Sequence, residues 1–323
     1  MTTLGGRNQI KNGDKQKDDT MRVFVTGATG FIGSAIVQEL LGAGHRVLGL
    51  TRSDAGARSL LAAGAEVHRG NLEDLESLRS GAAQSDGVIH TAFDHDFSNF
   101  VANCEKDRRA IAALGEALSG SDRPLVITSG TGMGSSVPGQ PAIEDVLDPN
   151  HPNPRKASEL AGISVAASGV DVRVVRLPQV HDPVKQGLVS IAIAIAREKG
   201  VSAYVGGGLN RFPAVHRLAA AQLYRLVLEK GSAGARYHAV AEEGVTLKEI
   251  ATVIGRGLKV PVESISAEAA TAHFGWFAMF VGMDMPASSA LTQERLGWRP
   301  TGPGLIADLE SMRYFDSPLA ANR

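Results

Sequence analysis

A short β-branched run, a loop holding three glycines and an amphipathic stretch follow one another without a gap in VFVTGATGFIGSAIVQELLGAGHRV, which begins at Val23. Glycines at positions 27, 30 and 33 divide the work of such a loop. The first permits a tight turn, the second lets a pyrophosphate approach the backbone, and the third lets the helix pack closely on the strand. The helix N-terminus that follows favours an anionic phosphate. A glycine triplet alone says little. In register with a strand and a helix it predicts a dinucleotide site made by Gly27, Thr29, Gly30, Phe31, Ile32 and Gly33.

About twenty residues on, an NAD enzyme usually presents Asp or Glu to the adenosine ribose. Here the sequence reads Thr51-Arg52-Ser53. A carboxylate would repel a 2′-phosphate, whereas a guanidinium grips it with paired hydrogen bonds, so NADP(H) is expected, with NAD(H) as the alternative. The competing reading is a solvated surface arginine with Asp54 nearby in sequence. Asn71 and Leu72 stand where an adenine-side contact is expected.

From Met21 onward, β-branched runs alternate with longer amphipathic stretches. This predicts an α/β fold, a doubly wound parallel (Rossmann) sheet with a smaller, mostly C-terminal substrate-binding lid. Expected strands include 23–25, 46–50, 66–68, 87–90, 125–127 and 172–175, and a helix is expected from about Arg155 to Ala167 with Asn153 as cap. The organisation read from the chain is a disordered polar leader over 1–20 and an NADP-binding domain over 21–180. A mainly substrate-binding region follows over 181–323, with segments at about 211–245 returning to the first domain.

The 323 residues are 43% hydrophobic, with a formal net charge of −1. No basic field exists to draw nucleic acid or an acidic membrane, and no stretch reaches the roughly 18 apolar residues of a membrane span. Cys104 is the only cysteine, so a paired-cysteine zinc site and an internal disulfide are excluded and no metal is expected. A cytoplasmic protein acting on a small molecule fits these features, and a homodimer is left open.

TGATGFIGS, the His90-Thr91-Ala92 strand end, Val126-Ile127-Thr128-Ser129, Ala214-Val215-His216 and Leu296-Gly297-Trp298-Arg299-Pro300 together resemble the extended short-chain dehydrogenase/reductases, the group of the NAD(P)-dependent epimerases and dehydratases. The resemblance covers about residues 21–310. It implies that Thr91 and Ala92 lie beside the cofactor and that a tyrosine four residues before a lysine transfers the substrate proton. That pair is missing. In His151-Pro152-Asn153-Pro154-Arg155-Lys156-Ala157-Ser158-Glu159, alignment through Glu159 puts His151 at the tyrosine position and Arg155 at the lysine position, while alignment through Lys156 puts Pro152 at the tyrosine position. Asp107 falls where many relatives carry asparagine, with Lys106, Arg108 and Arg109 as its expected partners.

Several groups compete to replace the phenol. His151 is a proton donor by residue type, although Pro152 and Pro154 place it before the helix, where it also reads as a loop histidine. Ser129 and Thr131 sit at the C-terminal edge of the sheet, where such folds bind ligands. In Phe93-Asp94-His95-Asp96-Phe97 two carboxylates flank an imidazole and are expected to raise its pKa; a charged surface loop is the alternative. The apolar stretch Phe274 to Met285 reads mostly as helix core, with some of it free to line a pocket. The expected activity is an NADP(H)-dependent oxidoreductase acting on a small carbonyl or alcohol. An epimerase or dehydratase with tightly bound cofactor and a non-catalytic NADP(H) sensor are the alternatives.

Overall fold

The computed structural model describes residues 20–135, 137 and 139–312; apart from Thr20, the leader lies outside the described residues. The first half alternates β1 (Arg22–Thr26), α1 (Phe31–Gly42), β2 (Arg46–Thr51), α2 (Asp54–Ala63), β3 (Glu66–Arg69), α3 (Leu75–Ala83), β4 (Gly87–His90), α4 (Phe100–Leu118), β5 (Leu125–Gly130), α5 (Lys156–Ala167) and β6 (Val172–Leu177). The second half comprises β7 (Gln179–His181), α6 (Val189–Lys199), β8 (Ser202–Val205), β9 (Arg211–His216), α7 (Arg217–Lys230), β10 (Arg236–His238), β11 (Glu242–Thr246), α8 (Leu247–Leu258) and β12 (Val262–Ile265). The helices α9 (Ala267–Phe274), α10 (Ala278–Val281), α11 (Ala290–Leu296) and α12 (Leu305–Ser311) complete it.

Seven strands form one parallel sheet in the order β10-β6-β5-β4-β1-β2-β3. The order reverses between β1 and β4, the point at which an open sheet of this kind forms its ligand crevice beyond the strands' C-terminal ends. Continuous apolar runs such as Val23–Val25 and Leu125–Ile127 are fully buried, because helices cover both faces. Ile36 and Leu40 of α1 pack with Leu223 and Val227 of α7 against Val23 and Val25. On the opposite face Leu78, Ile111, Leu114 and Val165 pack against Phe24 and Ile127. Burying Ile36 and Leu40 contributes roughly 1.5–3 kcal/mol each, which holds a 12-residue helix that would be marginal alone. Trp298 is fully buried and donates from Nε1 to the Ala219 carbonyl at 3.2 Å, so the Leu-Gly-Trp element closes the first core.

Within 211–245, α7 packs on the large sheet and β10 joins it, while β9 and β11 form a three-stranded sheet with β7, whose Val180 still lies with Val215 of β9 in the first core. Their alternation reads equally well in either sheet, and contacts far along the chain decide between them. Lid helices α6, α8 and α9 share a third core, containing Ile193, Ile250, Ile254 and Phe274. The final helix is tied back to the small sheet. His181 Nδ1 lies 2.6 Å from Asp308 Oδ2, and the Leu305 N–H donates to Glu242 Oε2 at 2.7 Å. No helix among the described residues is long and apolar enough to cross a membrane.

Candidate active site

At the end of β1 the chain turns at Gly27 with φ +69°, and a Cβ there would lie 2.8 Å from the Ala92 nitrogen and 2.9 Å from Thr91 Oγ1. A Cβ on Gly33 would come within 2.0 Å of the Gly27 carbonyl oxygen, so α1 meets the turn backbone to backbone. Gly30 differs from both. It is exposed, and within 4 Å its Cβ would meet only Gly27 O, at 3.1 Å. As N-cap of α1 it supplies no side-chain cap, and Thr29 beside it is exposed while Phe31 and Ile32 are half-buried. The first N–H groups of a helix have no intrahelical partner, so this end fits a dinucleotide pyrophosphate. Lys185 Nζ and the Arg217 guanidinium stand 5.7 and 5.2 Å from the centre of the Phe31 ring, adding positive charge there. Sequence reading missed both, since more than 150 residues separate them from the loop.

At the end of β2, Arg52 is exposed and has no ion pair among the described residues. The neighbouring Asp54 carboxylate is bound by Arg69 at 2.5 Å, and Ser53 caps α2 by accepting from the Gly56 N–H at 3.0 Å. The Asn71 side-chain oxygen accepts from the backbone N–H groups of Glu73 (2.8 Å) and Asp74 (3.2 Å), shaping the turn after β3; Leu72 packs on the second core.

Below the crevice lies a buried polar chain. Thr26 Oγ1 is 2.7 Å from His90 Nδ1, and His90 Nε2 is 3.0 Å from Asp107 Oδ1. Asp107 Oδ2 accepts from Arg155 Nη1 at 2.8 Å and from Ser158 Oγ at 2.6 Å. Arg155 Nη2 donates to the Thr128 carbonyl at 3.0 Å, and its guanidinium lies 4.0 Å from the centre of the Phe93 ring. Burial alone would raise the Asp107 carboxyl; Arg155, His90 and Ser158 outweigh it and hold the pKa at about 2. The partners expected for Asp107 were its sequence neighbours, but Lys106 pairs with Asp94 (2.9 Å) and Glu73 (3.3 Å), and Arg108 with Glu105. On a helix those neighbours point away from the face that Asp107 buries.

The loop after β4 also departs from expectation. Asp94 is engaged by Lys106, and Asp96 caps the following turn through Ser98 and Asn99, so Asp94 raises His95 only weakly and is outweighed. The His95 pKa is lowered. Desolvation of its ring is the larger cause and the Arg155 charge the next, although part of the side chain meets solvent. Its ring lies edge-on to Phe93 and Phe97, at 5.3 and 6.2 Å.

Helix α5 begins at Lys156 rather than Arg155, and the Asn153 side chain, expected as cap, accepts instead from the Arg155 N–H at 2.9 Å. His151 precedes the helix, with Nδ1 accepting from the Asn153 N–H at 3.1 Å. Ser129 is buried and its hydroxyl makes no hydrogen bond; it lies near enough to the Glu159 carboxylate to help lower that pKa without reaching bonding geometry. Glu159 is held by Arg176 (2.7 Å) and Arg236 (2.9 Å). Thr131 opens the 3-10 turn Thr131–Gly134 and is also buried. Of the four tyrosines, Tyr224 is fully buried against the Thr128 hydroxyl at 2.6 Å, with its phenol pKa pushed up by burial, and Tyr237 is buried under β10. Neither is a proton donor for the crevice.

The profile of the NAD dependent epimerase/dehydratase family matches residues 23–241. The chain belongs to that family. It is an enzyme of this kind, with the Rossmann-like fold that carries NAD chemistry. An uncharacterized protein of Schizosaccharomyces pombe is 52% identical over 296 residues, covering 91% of this chain and 100% of the relative. A UDP-glucose 4-epimerase of Streptomyces lividans is 26% identical over 329 residues, covering 92% and 96%. Among solved structures, the dTDP-glucose 4,6-dehydratase DesIV of Streptomyces venezuelae, with NAD and TYD bound, superposes with a TM-score of 0.71 at 21% identity, covering 90% of this chain and 96% of its own. At that identity the likeness speaks for the fold.

Proposed function

We propose that this family member is an NADP(H)-dependent oxidoreductase that interconverts a small carbonyl compound and its alcohol, using a proton donor other than tyrosine. The observation that carries the cofactor choice is Arg52, an exposed guanidinium at the end of β2 with no ion pair among the described residues, while Asp54, two residues on, is already held by Arg69. Bound NADP(H) supplies hydride transfer at the nicotinamide C4. Gly30 and the free N–H groups of α1 receive the pyrophosphate, Arg52 the 2′-phosphate, and Thr91 and Ala92 flank the cofactor at the end of β4.

Arg155, in the place of the family's lysine, has two N–H groups committed to Asp107 and Thr128 and three more available to ribose hydroxyls. A guanidinium does not lose its proton at working pH, so Arg155 positions and does not donate. Thr131 offers a hydroxyl to the substrate oxygen and His95 offers the proton, with His151 and Ser129 as the alternatives. Net reduction is favoured over epimerisation because, among the described residues, Tyr224 and Tyr237 are buried and neither phenol stands ready to take and return the same proton.

Isothermal titration is expected to show NADPH binding at least tenfold more tightly than NADH, the difference being lost in Arg52→Ala. Equal affinities in the parent protein would remove the assignment. For His95 the sign follows from its lowered pKa: the protonated acid exists only below a value that is itself below about 6.5. Reductive kcat should therefore fall as pH rises through the acidic range, and His95→Ala should lose at least tenfold in kcat with little change in NADPH affinity. A flat profile from pH 5 to 8, with His151→Ala inactive, would transfer the role to His151.

A further inference from the structure

Five aromatic rings form an unbroken wall from the reaction centre to the lid. Phe93 carries the Arg155 guanidinium on its face and meets Phe100 at 6.2 Å; Phe100 meets Phe97 at 5.5 Å. Phe97 stacks on Trp276 of the lid at 4.7 Å and 17°, and Trp276 meets Phe280 edge-on at 6.1 Å. None of the five is fully buried, and Trp276 is 49% exposed. Half-exposed rings gathered beside a reactive centre belong to a ligand surface rather than to a core.

Charge along the same wall is spent internally. Arg155 is bound by Asp107, and Lys106 by Asp94 and Glu73. Lys185, which has no ion pair among the described residues, stands over Phe31, and its charge also reaches His95. Among the described residues the cations that touch the rings or their loop, Arg155 and Lys106, are already held by carboxylates, which weakens their call on the two phosphates of a nucleoside diphosphate.

We infer that the substrate is an aldehyde or ketone carried on an aromatic or similarly apolar body, which lies along the rings from Phe93 to Trp276. The inference rests on the oxidoreductase reading above. In the reaction the carbonyl carbon accepts a hydride from NADPH, which departs as NADP+. The C=O π pair moves to oxygen, which takes one proton, giving the alcohol. His95, edge-on to two of the rings, stands beside that oxygen's path.

Binding is tested apart from turnover with benzamide, a redox-inert aromatic carbonyl, titrated into the NADP+ complex while tryptophan emission is followed. Trp298 is fully buried, so a saturable quench lost in Trp276→Phe reports the wall. In steady state, kcat/KM for benzaldehyde should exceed that for acetaldehyde by about a hundredfold, within the range that apolar contacts supply. Trp276→Ala should raise the KM for benzaldehyde about tenfold while the NADPH dissociation constant stays put. Absence of a benzamide quench, or saturable binding of uridine diphosphate that the Trp276 variants do not alter, overturns the substrate class. A quench without NADPH-driven reduction of any carbonyl keeps the wall and refutes the oxidoreductase reading. Reduction of both aldehydes with equal efficiency does the reverse.

Discussion

Asp107→Ala is expected to destabilise the protein by roughly 3–5 kcal/mol, because removing one member of a buried ion pair leaves its partner uncompensated. Arg155 would lose its carboxylate, and His90 Nε2 and the Ser158 hydroxyl would lose their acceptor in the same change. Urea titration should show the midpoint fall with little change in slope, and cofactor affinity should weaken as Arg155 leaves the Phe93 face. Asp107→Asn keeps the shape and one acceptor, so its loss should be smaller. The pH dependence has a definite sign. The folded carboxyl titrates at about 2, below the ordinary value near 3.9, so its stabilisation is complete above about pH 4 and is lost as pH falls toward 2. In Asp107→Asn that part of the acid sensitivity should vanish. An alanine variant with the parent's midpoint would show that the charge pair contributes nothing.

Gly33→Val is the second large effect. Its Cβ would meet backbone, Gly27 O at 2.0 Å, and a carbonyl in a turn of φ +69° cannot retreat without opening the loop. Overpacking of this kind usually costs about 1–3 kcal/mol, and more when the obstruction is main chain. The expected result is a protein that fails to accumulate or melts well below the parent. Gly30→Val is the contrast: its Cβ faces open space apart from Gly27 O at 3.1 Å, so the variant should fold and lose cofactor affinity at least tenfold. The pair separates helix packing from phosphate approach. Equal melting temperatures for the parent and Gly33→Val would contradict the close approach of α1 to the turn.

The six N-terminal strands and the glycine loop were legible because their signals are local: buried β-branched runs, turns between them, and glycine spacing in register with a helix. The candidate site was legible only as residue types. Arg155 and Asp107 are 48 positions apart, and nothing in the one announces the other. His95 was misjudged for a related reason. Its flanking carboxylates looked free in sequence, but Lys106 and the capping of the Asp96 turn claim them, and desolvation of the ring, then the Arg155 charge, outweigh what Asp94 still contributes. The Phe97 and Trp276 stack joins positions 179 apart in the chain, so the aromatic run near Trp276 read mostly as core. The strand at 211–216 went to the small sheet because its partners, β7 and β11, are chosen by tertiary packing and not by alternation.

The His181 and Asp308 contact bears on how such a chain can be rearranged. After β6 the main chain leaves for the small sheet at β7, returns through α7 and β10, leaves again at β11, and is finally pinned at β7 by α12. Cofactor platform and lid are thus interleaved, and no single cut in the chain separates the two. A graft ending before α12 would strand a buried imidazole and leave Glu242 without the Leu305 amide, next to the segment that carries Lys185 over Phe31. Changes confined to surface loops leave this interleaved wiring intact, whereas exchange of a longer segment cuts it.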